Sequence, residues 1–159
     1  MAHKCVGVGC VLPGVIKLDV QVPPQYDNNP DRFKWCCVEH VETEEKRAEE
    51  GGGFARRVEV IPVVGMGATA GYGSDSYPYT IIAVSANGKT VTVQDDNHHP
   101  APGCNGITNQ VYTYSRNPNG PTKVYTLRSN GAWVLKGESM KGGGRLGIGH
   151  RRYYQDPSF

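Results

Sequence analysis

Twice in this chain an Asn-Gly pair sits between two runs of β-branched and aromatic residues, an arrangement that leaves little choice of local fold. Residues 77–85 and 89–94 flank Ala86-Asn87-Gly88, and residues 122–128 and 132–136 flank Ser129-Asn130-Gly131. Asn and Gly tolerate the positive φ that tight hairpins require, so each case predicts two antiparallel strands joined by a short turn. A further turn, Asn117-Pro118-Asn119-Gly120, follows residues 110–115, where Val111 and Thr113 alternate with Tyr112 and Tyr114. With 21 Gly and 11 Pro in 159 residues, turns are frequent and long helices scarce. The expected fold is mainly β: a small antiparallel β-barrel or β-sandwich with one short N-terminal helix.

The helix is expected within residues 33–50, which end at Gly51-Gly52-Gly53, because a glycine run stops a helix abruptly. Before it, Ile16, Leu18, Val20 and Val22 share one face of a period-two run, while Lys17, Asp19 and Gln21 share the other, as in a half-buried strand. Pro23-Pro24 ends that strand and residues 25–32 form a polar loop. After Gly53 the composition turns β-branched at residues 58–64, with Pro62 marking an edge or a bend. Residues 1–53 are therefore expected as a strand, loop and helix segment, and residues 54–159 as a β-rich domain. Residues 95–109, rich in Asp, Asn, His, Pro and Gly, read as a long loop.

The formal charge of +2 conceals an asymmetry. Residues 1–53 carry 6 basic and 9 acidic residues, residues 54–120 carry 4 and 4, and residues 121–159 carry 7 and 2. The C-terminal segment is basic, glycine-rich and aromatic, so it is the expected binding surface. Its candidate ligand-binding residues are Trp133, Lys136, Lys141, Arg145, His150, Arg151, Arg152, Tyr153 and Tyr154. Arginine contacts phosphate bidentately and aromatic rings stack on bases, so the set suits nucleic acid or a nucleotide-like molecule. A solvated basic face, with Tyr153 and Phe159 in the core of a last strand, is the competing reading.

Three other groups could carry chemistry. Cys5, Cys10, Cys36, Cys37 and His40 offer soft ligands for a tetrahedral zinc ion. Adjacent Cys36 and Cys37 cannot easily both reach one ion, so packing of small buried cysteines is the favoured reading and no metal or other cofactor is expected. Asp95-Asp96-Asn97-His98-His99 could hold a metal for hydrolysis, but residues alternate in direction along a strand and a solvated loop is the plainer account. Residues 65–73 are glycine-rich yet lack the Gly-Lys-Ser/Thr ending of a phosphate loop; glycines at strand bends explain them better. Five cysteines match no secreted disulfide framework. No run approaches the ~20 apolar residues of a membrane helix, and the first 20 residues lack a secretion pattern. The expectation is a soluble cytoplasmic protein with reduced thiols and no membrane partner.

Gly67-Ala68-Thr69, the run Tyr77-Pro78-Tyr79-Thr80 leading to Asn87-Gly88-Lys89, Asn117-Pro118-Asn119-Gly120 and the ending Tyr154-Gln155-Asp156-Pro157-Ser158-Phe159 together resemble a group of small bacteriophage- and prophage-encoded proteins without assigned activity. The resemblance spans roughly residues 63–159. It implies a β-rich domain of phage origin acting in the host cytoplasm, and it brings no catalytic residues. The expected function is non-enzymatic binding, in an accessory or anti-defence role, to nucleic acid, a nucleotide-like ligand or a host protein. A structural protein that assembles as a homo-oligomer, such as a minor virion or decoration component, is the alternative from another class. A metal-dependent hydrolase built on residues 95–99 is the third.

Overall fold

The computed structural model describes residues 3–7, 10, 13–21 and 33–158. Val22, the Pro23-Pro24 stop, the loop at 25–32 and Phe159 lie outside the described residues. The chain forms two compact units, residues 1–61 and 62–159.

In the first unit a small ribbon, β1 (His3–Lys4) with β2 (Pro13–Gly14), precedes a three-stranded antiparallel sheet. Strand β3 (Ile16–Gln21) is central, between β4 (Phe33–Cys36) and β5 (Phe54–Val60). Period two in β3 buries Ile16 and Leu18, and the sheet carries one helix, α1 (Val41–Glu50). Val41, Glu44 and Ala48 form its buried stripe. The Glu44 carboxylate accepts Lys34 Nζ at 3.2 Å and Arg47 Nη1 at 2.5 Å, and Arg57 of β5 clamps Glu45 through two bonds of 2.7 and 3.0 Å. Gly52 takes φ +77° just past the helix, a left-handed conformation that glycine adopts without strain.

Two expectations shift here. The helix fills only Val41–Glu50 of the expected segment 33–50, because residues 33–36 pair with residues 16–19 of β3. The unit boundary falls after Ile61, not after Gly53. The cause is β5, which pairs with β3 along its length, so the residues following the triple glycine complete the first unit.

The second unit is a closed, six-stranded antiparallel β-barrel with one extra strand. Strands β6 (Gly67–Tyr72), β7 (Asp75–Val84) and β8 (Thr90–Pro100) follow one another. After β9 (Tyr112–Arg116) come β10 (Thr122–Leu127), β11 (Trp133–Leu135) and β12 (Arg145–Ile148). The order is β10-β11-β12-β6-β7-β8, closed by pairing of β8 with β10. Small Ala68 and Ala70 alternate with bulky Tyr79, Ile81, Val91, Val93, Tyr125, Val134 and Leu146 in the core, as a narrow barrel interior requires. Both Asn-Gly hairpins form, with Gly88 at φ +69° and Gly131 at φ +81°.

Residues 95–100, expected as loop, continue β8: Asp95 still pairs with Tyr79 of β7, and residues 96–100 run beyond the barrel and pair with β9 to make a two-stranded arm. A polar, His- and Pro-containing run makes a strand here because the arm lies at the edge of the sheet, where such residues are tolerated. The C-terminal residues fold back over the outside of the barrel, bridging Tyr154 to Ser76 of β7. No helix of the described residues is long and apolar enough to cross a membrane.

Candidate functional site

The fold separates the nine basic and aromatic residues expected to bind ligand. Trp133 is buried in the barrel. Arg151 turns onto the sheet, where its Nε donates to Asp96 at 2.7 Å and a terminal nitrogen donates to Thr80 Oγ1 at 2.7 Å. Tyr153 stacks on the His98 ring at 3.6 Å and meets Tyr77 and Tyr112 edge-on. Arg151 and Tyr153 thus hold the tail in place, while Trp133 belongs to the barrel core. Lys136, Lys141, Arg145, His150 and Arg152 remain exposed, and Tyr154 is half-buried with the Arg152 guanidinium 5.2 Å above its ring.

Strand register places part of the exposed set in one row. Arg145 of β12 pairs with Gly71 of β6, Gly71 with Ser76 of β7, and Ser76 with Tyr154 of the tail. Ala70 and Leu146 on the neighbouring positions are buried, so the row faces outward. Three strand spacings separate Arg145 from Tyr154, about 14 Å across the sheet. Nothing lies within 4 Å of where a side chain at Gly71 would begin, which leaves an open strip with a floor of glycine and serine. Arg145 bounds one side and donates to the Met140 carbonyl; Arg152 and Tyr154 bound the other. Lys136 and Lys141 stand on the β11–β12 loop that leads into Arg145. Acidic Glu138 in that loop accepts the Gly144 amide at 2.6 Å.

At the adjoining rim, Lys123 donates to Tyr72 Oη at 2.8 Å and sits 4.7 Å over that ring and 5.6 Å over Tyr79. Burial pushes the Tyr79 hydroxyl up to about 12. Burial works against the Lys123 cation, but its bonds to Tyr72 and Tyr79 outweigh it and raise the ammonium to about 12. The rim thus holds a cation beside the Tyr79 phenol, which burial keeps in its protonated form at neutral pH. Sequence reasoning missed Tyr72 and Lys123 because they lie on separate hairpins and meet only when the barrel closes.

The Asp95–His99 group does not converge. Asp96 is buried against Arg151, Asn97 donates to the Arg116 carbonyl, His98 stacks on Tyr153, and His99 Nε2 lies 3.1 Å from Ser115 Oγ. Burial first, and neighbouring His99 second, hold the His98 imidazole below its ordinary 6.5. The folded arm thus favours neutral His98. This contribution is complete above pH 6.5 and is lost as pH falls through the lowered folded value. An NMR titration of the His98 ring is expected to give a midpoint below 6.5; a midpoint above it would contradict the packing.

Of the five candidate zinc ligands, the structure brings together Cys5, Cys10, Cys37 and His40. Cys36 points into the core, fully buried, and burial pushes its thiol up to about 12. Burial also works against the Cys5 thiolate, but amide bonds from Cys37 and Gly7 more than offset it and lower that thiol to about 7.

No protein-family model, curated protein or solved structure matches this chain. Residue geometry is therefore the basis for any functional reading.

Proposed function

We propose that this protein is a non-enzymatic binder of single-stranded nucleic acid, with the outer barrel face between Arg145 and Tyr154 as its platform. The open strip over Gly71, bounded by arginines and an aromatic ring, is the observation that carries the reading. Phosphates would meet Arg145, Arg152, Lys136 and Lys141, and a base would stack beside Tyr154. The phage-associated resemblance supports an accessory or anti-defence role in the cytoplasm of an infected host.

Fluorescence anisotropy with a labelled single-stranded oligonucleotide tests this. If four phosphates are neutralised, log affinity should fall with log salt at a slope of about −3, because each contact on a single strand contributes about −0.7. Replacing Arg145 and Arg152 together by Gln should halve the slope to about −1.5 and leave the fold intact, since both side chains are exposed. A flat salt response, or equal affinity in the double variant, would remove this face from consideration.

Assembly into homo-oligomers, including a virion role, draws on one feature: β9 ends the strand order, so its outer edge carries no partner strand among the described residues. Exposed edges of this kind can pair between copies. Sedimentation velocity distinguishes the two readings, because a concentration-independent monomer that binds nucleic acid excludes assembly through β9.

A further inference from the structure

Three thiols and one imidazole from separate stretches of the first unit converge on a point. The ligand-type atoms of Cys5, Cys10, Cys37 and His40 all lie within 4.8 Å of one another. Cys10 Sγ and Cys37 Sγ are 3.8 Å apart, Cys5 Sγ is 3.7 Å from His40 Nδ1, and Cys37 Sγ is 3.1 Å from the same nitrogen. A tetrahedral zinc ion with Zn–S of about 2.3 Å and Zn–N of about 2.0–2.1 Å sets S···S edges near about 3.8 Å and S···N edges near about 3.6 Å. The Cys10–Cys37, Cys5–His40 and Cys37–His40 separations match these edges to within about half an ångström, and no pair of the four exceeds 4.8 Å. Packing of small cysteines accounts for Cys36. It does not account for a half-buried imidazole that shares one point with three thiols.

The backbone is arranged to the same end. Amides of Gly7 and Cys37 donate to Cys5 Sγ at 3.4 and 3.3 Å, and such bonds favour a thiolate and orient it. Cys10 N donates to the Gly7 carbonyl at 3.0 Å, which turns the first loop back toward Cys5. His40 N and Val41 N both donate to the Cys37 carbonyl at 3.2 Å, folding the Cys37-x2-His40 turn at the start of α1. Gly7 has no room for a side chain, because a Cβ there would lie 2.8 Å from His40 Cγ and Nδ1. The doubt raised by adjacent Cys36 and Cys37 disappears, since the two point in opposite directions from the end of β4: one into the core, one to this cluster.

We propose that Cys5, Cys10, Cys37 and His40 form a structural site for a zinc ion, with Cys36 excluded. Three thiolates and a neutral imidazole complete a tetrahedron and leave no open position, which marks a structural centre rather than a catalytic one. The inference uses no residue of the barrel and stands independently of the nucleic-acid reading.

The test uses full-length protein purified under reducing conditions without chelators or a polyhistidine tag. Elemental analysis and native mass spectrometry are expected to find one zinc per chain, and cobalt substitution to give the intense visible bands of a tetrahedral thiolate complex. Cys10→Ser, Cys37→Ser and His40→Ala should each lose the stoichiometric metal, whereas Cys36→Ser and Cys104→Ser should retain it. Should the ligand variants fail to fold, alkylation of the wild-type chain decides: Cys5, Cys10 and Cys37 should be protected until a chelator is added. Protein that takes up neither metal, alkylation that ignores the chelator, loss of metal in Cys36→Ser, or a Cys10–Cys37 disulfide in the freshly isolated chain would each overturn the proposal.

Discussion

Replacing Arg151 by Gln is expected to destabilise the barrel by about 3 kcal/mol, the lower end of the usual cost of stranding one member of a buried ion pair. The Asp96 side chain is 0% exposed, while Arg151 retains 29%, which is why the lower end applies. Without the guanidinium, Asp96 Oδ2 keeps the Thr80 hydroxyl at 2.6 Å, and Oδ1, which accepts no hydrogen bond among the described residues, has only the Arg116 Nε at 3.6 Å. Neutralising the carboxylate as well, in Asp96→Asn with Arg151→Gln, should recover part of the loss, because the buried charge is then gone. Urea unfolding of the three chains, followed by intrinsic fluorescence, measures both effects. Arg152→Gln serves as the control and should stay within about 0.5 kcal/mol of the wild type. A loss below about 1 kcal/mol for Arg151→Gln would show that the ion pair does not hold the tail to the sheet.

Arg151 also shows where sequence reading stops. In the sequence it is one of several cations in a basic tail, and only the fold-back of residues 150–156 over β6, β7 and β8 sets it beside Asp96 and Thr80. Features governed by neighbours in the chain were legible: both Asn-Gly hairpins, the inward Ile16 and Leu18 of β3 and the helix stop at the triple glycine. Features governed by distant pairing were not. Residues 33–36 could not be told from the helix-bearing stretch that follows until set against β3, and residues 96–100 looked irregular until paired with β9. The cysteine group falls between these cases. Its ligand types were visible, but a strand end that sends Cys36 and Cys37 to opposite sides could not be read from their adjacency.

Removing zinc is expected to expose the first unit to exchange and spare the second. Among the described residues of unit one, the buried apolar side chains are Cys5, Val15, Ile16, Leu18, Cys36, Cys37, Val41 and Ala48. Only four are large aliphatics, each worth about 1.5–3 kcal/mol when buried, while Phe33 and Phe54 remain 45% and 49% exposed. That is a thin core for a unit of this size, and small domains with thin cores depend on a metal or covalent staple. Structural zinc contributes about 10–16 kcal/mol of binding free energy in zinc-finger peptides, a quantity that is also folding free energy. Two of the eight core residues, Cys5 and Cys37, are ligands in the proposed site, so loss of the ion also leaves a hole where the sheet meets the start of α1. Hydrogen exchange on the intact chain, with and without a chelator, should therefore show protection collapsing in β3, β4, α1 and β5 and persisting in β6, β7 and β8. If β3 and α1 keep their protection after the metal is shown to be gone, the aliphatic core suffices and the ion is no staple. If the barrel strands lose protection in parallel, the two units unfold as one and the stabilisation is shared by the whole chain.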